Sequence, residues 1–473
     1  MHLQRPFDPV ITFRNSQGEA ARGTLTSLQR RALVMEIYNP YSIVQVSEVL
    51  TELTIRSGER NIYKGKAVVV SLLNTGLMAV VSVALIDEWD DLHLIYGDHT
   101  KVGYESERFV EDWLDRFRIK PSYIVAVSEI RAYLAEVARW IDQADLSSSL
   151  PKGRDDRVNS ATFQMLSMPI VATAANYFAA LENEIADIPD GDVPAYRAFA
   201  QSALHPLLLR APFVYRTFAK PLGYAGDYEM VNQILGDSQQ GPTTYFQIIN
   251  SLFLASPVAK AHRNRIDILV NLLSQTIELA QKAGRVFRVL DIGCGPAVEI
   301  ERLLGSDAHA EVLDITLLDF SEVTLEATKN KLAAINSKRT KNASLHYLND
   351  SVHNLLKRAI RHGDAVEVDQ YDFVYCAGLF DYLSDKVCAR LLEYLKSQTR
   401  AGGRILVTNV HPSNQQRGVM EHVLEWHLIY RDEAQLESVL PPHRYNEKIY
   451  TDATGVNVFA EFFVSLSDQK VLV

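Results

Sequence analysis

A short apolar run that ends in a glycine turn constrains this chain most: residues 288–304 read RVLDIGCGPAVEIERLL. Val289-Leu290-Asp291-Ile292 is too short and too apolar for a surface helix, and it suits a central parallel strand. Gly293 and Gly295 let the backbone turn sharply and approach a ligand closely. Pro296 is expected in the first turn of a helix whose apolar face is Val298, Ile300, Leu303 and Leu304. Strand, glycine turn and helix in that order predict a nucleotide-type site at a strand's carboxyl end. Two common nucleotide motifs are excluded. A dinucleotide fingerprint needs a third glycine where Val298 stands, and no G-x-x-x-x-G-K-[ST] occurs.

What remains, Asp291-x-Gly293-x-Gly295-Pro296, resembles motif I of class I S-adenosylmethionine (SAM) methyltransferases. That resemblance implies that Asp291 and the amides of Gly293 and Gly295 serve the amino-acid end of SAM. A lone G-x-G is also compatible with an ordinary βα turn; the order of the later strands argues for the methyltransferase. ITLLDFS, residues 315–321, puts Asp319 at a second strand tip, where an acid accepts hydrogen bonds from ribose hydroxyls. Phe320 beside it offers an apolar face to a purine. LHYLNDSV carries Asn349, Asp350 and Ser351 at a third tip, placed like the family's adenine-binding loop. A fourth run, YDFVYCAGLFDYL, is a strand from Phe373 to Cys376 broken by Gly378. A fifth, GGRILVTNVHP, has a Gly402-Gly403 turn before its strand and ends in His411-Pro412. Any one tip acid could equally be a helix N-cap, but several in this order predict a doubly wound sheet with its polar tips on one edge. Arg444–Tyr450 and Val456–Leu466, around the turn Asp452–Gly455, resemble the antiparallel hairpin that closes such a methyltransferase sheet.

The expected fold class is therefore α/β: a Rossmann-like class I methyltransferase sheet, preceded by a helical cap region and a small N-terminal β-barrel. With 473 residues, two to three domains are expected, and the natural spans are 1–95, 96–280 and 281–473. A net charge of −10 makes the chain a poor candidate for gripping nucleic acid, so a small-molecule substrate is expected. Three cysteines without metal spacing suggest a reducing compartment and no metal. No apolar run long enough to cross a membrane appears and the start is no signal peptide, so the expected location is cytoplasmic.

The first ninety or so residues read as short β-type runs punctuated by Gly and Asn, which suggests a small antiparallel barrel. Asn74-Thr75-Gly76-Leu77-Met78-Ala79 resembles the D/N-x-S-x-x-G element of PilZ domains at its first position alone. The companion R-x-x-x-R spacing occurs at Arg56 and Arg60, around a Ser-Gly turn, whereas Arg30 and Arg31 are adjacent. A misplaced fork loses bidentate contacts, so cyclic di-GMP is not expected, and the barrel is left to regulate or to form a homodimer. From Glu107 to about Ala283 the apolar spacing is helical. Within it KPLGYAGDYEM, residues 220–230, reads either as a helical corner capped by Asp227 or as a lid whose Tyr224 bonds the SAM carboxylate. In AHRNRI, an arginine such as Arg263 could pair with that carboxylate.

A last polar cluster follows the fifth strand and includes His411, Arg417, Glu421, His427 and Arg431. Together with KPLGYAGDYEM, AHRNRI, DIGCGPAVE, LLDFS and YCAGLFDYLSD, it is similar to the bacterial methyltransferases of extracellular-factor, or 3-hydroxypalmitic acid methyl ester, synthesis. That resemblance covers roughly residues 200–473 and implies transfer to the carboxylate of a hydroxy fatty acid or related acid, with Arg417 or Arg431 orienting it. Two alternatives stay open. A natural-product O- or N-methyltransferase would use His411 or His427 as general base, and a regulatory protein would bind SAM without turnover.

Overall fold

The computed structural model describes residues 10–29, 31–37, 44–57, 60–74, 79–87, 103, 106–107, 110, 119–147, 150–153, 157–306, 313–339, 342–362 and 371–465. The chain divides into two compact units. One comprises residues 1–225, 237–256 and 415–427; the other comprises 226–236, 257–414 and 428–473.

In the first unit, six strands close into an antiparallel barrel: β1 Val10–Arg14, β2 Ala20–Gln29, β3 Ala32–Ile37, β4 Val49–Ser57, β5 Arg60–Asn74 and β6 Ala79–Leu85. Alternate residues point inward, so Leu33, Met35 and Ile37 of β3 meet Val81 and Val83 of β6 in a buried core. Closure pairs β1 with β4 and leaves no free sheet edge. Arg56 and Arg60 lie on the two paired strands β4 and β5, as the Ser-Gly turn between them predicts. Thr75 to Met78 of the PilZ-like stretch and Arg30 lie outside the described residues. Buried Glu48 accepts hydrogen bonds from Ser16 N (2.7 Å), Ser16 Oγ (2.5 Å) and Gln45 N (2.7 Å). Helices α1 Pro121–Leu146, α2 Ser160–Ile185, α3 Val193–Leu208 and α4 Pro212–Ala219 follow. Proline starts α1, and Asn159 caps α2 by accepting from Thr162 N.

The second unit opens with α5 Tyr228–Leu235, resumes after α6 Thr244–Leu254 of the first unit, and continues with α7 Pro257–Lys282. Its seven strands run β12-β13-β11-β10-β7-β8-β9. They are β7 Phe287–Ile292, β8 Leu313–Asp319, β9 Ser344–Asn349, β10 Tyr371–Cys376, β11 Thr399–Val410, β12 Arg444–Thr451 and β13 Asn457–Val464. β7 to β11 pair in parallel, whereas β13 is antiparallel to both β11 and β12. This is a doubly wound, Rossmann-like sheet closed by the expected hairpin. Helices α8 Val298–Gly305, α9 Glu322–Asn336, α10 Val352–His362, α11 Asp385–Gln398 and α13 Glu433–Ser438 belong to it, while α12 Arg417–Val423 belongs to the first unit. From β7 the chain winds outward through β8 and β9, then returns to β10 on the other side, so the strand order reverses between β7 and β10. A ligand crevice is expected at the carboxyl ends flanking that reversal.

Two local expectations are corrected. Pro296 precedes α8 and does not lie in its first turn, because Ala297 takes a left-handed conformation (φ 46°) and caps the helix at Val298. Gly402 and Gly403 lie inside β11, at an irregularity in its pairing with β10, because the strand already begins at Thr399. Among the described residues no helix is long and apolar enough to cross a membrane, and all three cysteines are buried and free.

Replacing Glu48 by alanine strands two backbone N–H groups and a hydroxyl under the barrel wall. A loss of about 2–4 kcal/mol is expected in urea unfolding; a change below about 0.5 kcal/mol would show that water replaces the carboxylate.

Candidate functional site

At the tip of β7 the chain turns through Gly293 (φ 74°) and Gly295 (φ 50°). That turn is tied to β8: Gly293 N and Cys294 N both donate to Leu318 O, at 2.8 and 3.0 Å. Gly295 N donates to Asp319 Oδ2 (3.1 Å), and Thr328 Oγ1 of α9 donates to Gly295 O (2.8 Å). The glycine turn and the acid at the second tip are thus one hydrogen-bonded unit. Asp319 also accepts from Ser321 N (2.9 Å). Burial pushes its carboxyl up from the usual range, and the N–H groups of Ser321 and Gly295 oppose that.

Asp350 N and Asn349 Nδ2 both donate to Asp319 O, so the third tip is bolted to the second. Asn349 Nδ2 also reaches Phe320 O (3.0 Å). Its amide shapes the edge and is spent there. Asp350 pairs with Arg358 through Oδ2 and accepts from Ser351 N through Oδ1. Ser351 caps α10 by accepting from Asn354 N (3.2 Å). The structure brings Asp291, Gly293, Gly295, Asp319, Phe320, Asn349, Asp350 and Ser351 to one edge of the sheet.

Asp291 is 2% exposed, and its Oδ2 has no hydrogen-bond partner among the described residues. Burial first, then the neighbouring Glu299, pushes its carboxyl well above the usual range. Tyr375 of β10 donates its hydroxyl to Glu299 Oε1 (2.8 Å). Opposite them stands Arg265 of α7, 6% exposed, for which no hydrogen-bond partner is found among the described residues. Its charge is felt by Asp381, Glu299 and Asp291. A Cβ on Gly378, which follows β10 at φ 95°, would lie 2.6 Å from Arg265 Nη1. Only glycine admits both that backbone and that guanidinium. Gly378 N donates to Thr408 Oγ1 (3.0 Å), and burial raises the Asp381 carboxyl to about 6, against the bond from Val410 N and the charge of Arg265.

The remaining predicted residues divide. Arg263 donates its Nε to Ile234 O (2.9 Å) and so ties α7 to α5, while Arg265, two residues on, faces the reversal point. Tyr224 is half-buried in the first unit, in the turn after α4. Gly223 and Gly226 both have positive φ, and Asp227 caps α5 by accepting from Met230 N (2.9 Å), as the corner reading expects. His411 follows β11 with both ring nitrogens engaged, Nδ1 with Ser413 Oγ (2.7 Å) and Nε2 with Glu433 Oε2 (3.2 Å). Arg417 is half-exposed and pairs with Glu421 one helical turn on. His427 is buried in the first unit, its Nε2 3.1 Å from Glu425 Oε2. Arg431 is buried, and its donors are spent on Phe380 O, Leu383 O, Asn409 Oδ1 and Asp385 Oδ1.

Sequence reasoning passed over Glu299, Tyr375 and Asp381, and of the two arginines in AHRNRI it put Arg263 in the site and not Arg265. Arg265 carried a signal: with His262, Leu269, Leu273 and Thr276 it falls on the buried stripe of α7, where a charge is out of place. Glu299 and Tyr375 looked like an ordinary helix acid and a strand aromatic.

No family model and no curated protein matches the chain. Among solved structures, a possible exported protein from Bordetella parapertussis aligns with a TM-score of 0.38 and 13% identity, over 73% of this chain and 99% of that one. Magnesium protoporphyrin IX methyltransferase from Synechocystis PCC 6803 with bound SAH aligns at 0.35 and 12%, over 57% and 99%. The S-adenosylmethionine-dependent methyltransferase SibL in its apo form aligns at 0.32 and 17%, over 73% and 100%. The fold assignment rests on the strand order itself.

Arg431 holds the turn after β10 to the end of β11. Arg431→Met leaves two buried carbonyls and an amide oxygen without donors, and should cost roughly 3 kcal/mol or more in urea unfolding. A loss under about 1 kcal/mol would free Arg431 for a role beyond the scaffold.

Proposed function

We propose that the sheet unit binds S-adenosylmethionine and that the protein transfers its methyl group to a small-molecule acceptor. One observation carries the reading: a buried carboxylate oxygen and a buried guanidinium, neither with a hydrogen bond among the described residues, flank the β7/β10 reversal. The α-amino-acid end of the cofactor is a zwitterion, and these two charges complement it. Asp291 would take the ammonium and Arg265 the carboxylate, the latter bidentately. Asp319 keeps lone pairs beyond those used by Gly295 N and Ser321 N, and these suit ribose hydroxyls. Asp350 has the corresponding capacity for an adenine amino group. When bound, the cofactor supplies a methyl group on an activated sulfonium. The chain's own residues then need to position the partners and exclude water.

For the acceptor we favour a carboxylate, as in a hydroxy fatty acid, giving a methyl ester. A carboxylate is ionised at neutral pH and needs no base. A hydroxyl or amine acceptor needs one, and His411 would have to give up Ser413 or Glu433 to serve. The non-catalytic alternative is separated by labelled SAM: binding with no label passed to any component of a cellular extract would favour it.

Titration calorimetry with SAM tests the site. Asp319→Ala and Arg265→Met should each weaken binding about tenfold to a hundredfold, since each removes charge-assisted hydrogen bonds. Unchanged affinity in either variant would remove that residue from the site.

A further inference from the structure

The first unit contains a second buried charge imbalance. Arg197 of α3 is 4% exposed; its Nε donates to Glu425 Oε1 (3.1 Å), and its Nη1 is buried without a partner among the described residues. Glu425 is otherwise satisfied, by Gln201 Nε2 (2.7 Å) and His427 Nε2 (3.1 Å). Lys220 is 2% exposed, and the only hydrogen bond of its ammonium among the described residues is a long one, 3.4 Å to Phe218 O. Two cations therefore face one carboxylate. His422 does not alter the sum: burial and the charge of Arg197 push its imidazole down to about 3, and its Nδ1 lies 3.2 Å from the Tyr123 hydroxyl. Burial likewise lowers His205, whose Nε2 meets Val423 O. Below about pH 8, Arg197 and Lys220 against Glu425 leave one net positive charge. Burial pushes Lys220 down to about 8, with Glu425 opposing and Arg197 adding to the shift.

The backbone also is held at a cost. Ser47 (φ 63°), Lys220 (φ 46°) and Glu425 (φ 52°) are three of the seven non-glycine residues with positive φ in the described chain. Ser47 Oγ donates to His427 O (2.8 Å) and accepts from His427 N (2.5 Å), so it fixes the same segment. Each such conformation costs roughly 1–2 kcal/mol. Lys220 stands at the end of α4, where glycine would be the unstrained choice. A scaffold gains nothing from an uncompensated lysine there.

We infer that Arg197 and Lys220, around Glu425, form a binding site for the carboxylate group of a small organic acid. The unpartnered Nη1 offers the planar guanidinium edge that carboxylates match. One negative charge neutralises the cluster, whereas a phosphate dianion overshoots it. The site stands independently of methyl transfer, and its test contains no SAM.

The full chain is titrated by calorimetry with sodium acetate and sodium octanoate, with acetamide and octanamide as neutral counterparts, and with inorganic phosphate. At least one carboxylate should bind saturably, and the amides and phosphate at least about tenfold more weakly. Lys220→Met should lose at least about tenfold in carboxylate affinity while melting no lower than the parent, since it removes an uncompensated charge. Arg197→Lys keeps the contact with Glu425 but lacks Nη1, and should lose affinity too. The site is refuted if neither carboxylate saturates, if amides or phosphate bind as well, if either variant binds like the parent, or if Lys220→Met melts lower.

Discussion

Two carboxyl groups, Asp291 and Glu299, are buried side by side at the carboxyl end of β7, and the second unit's chemistry depends on that arrangement. Burial raises both carboxyls; the charge of Glu299 adds to the rise at Asp291, while Tyr375 and Arg265 oppose it at Glu299. Such a pair holds a proton to higher pH than isolated carboxyls do. A cation arriving at Asp291 Oδ2 would supply the missing partner and release that proton. The glycine turn, the room that Gly378 leaves for Arg265 and the strand reversal place these charges at the carboxyl ends of β7 and β10.

Rigidity at the neighbouring tips comes from hydrogen bonds that cross between strands. Asp319 O holds the third tip, and its carboxylate holds the glycine turn. The turn amides are spent on these bonds, and the carboxylates that would face a cofactor are therefore fixed beforehand, which limits the entropy lost on binding. In the first unit a similar surplus, this time of positive charge, is held by strained backbone at Ser47, Lys220 and Glu425.

Much of the second unit was legible in the sequence. The apolar runs at 289–292, 315–319 and 373–376 read as strands, and Asp291 and Asp319 in the first two marked the edge. The barrel was legible from alternation and turn residues. What escaped was whatever depends on a residue's angular position on a helix. Arg263 and Arg265 differ by two positions, hence by more than half a turn, and only Arg265 faces the sheet. Arg431 and His411 read as free polar groups because sequence does not show that neighbouring carbonyls and acids already occupy them. Pro296 was misplaced because nothing local announces that Ala297 adopts a left-handed conformation.

We propose that the ammonium of SAM docks on the Asp291–Glu299 pair and displaces its proton, which proton linkage measures. SAM binding is measured by calorimetry in buffers of differing ionisation enthalpy, across about pH 5 to about pH 8. Asp291 is raised in the free protein, so its proton is held below that raised value and must leave when the ammonium docks. Affinity should rise with pH over that range, with up to about one proton released per SAM bound, and Asp291→Asn should abolish the release. Binding that releases no proton and is flat with pH would contradict the account.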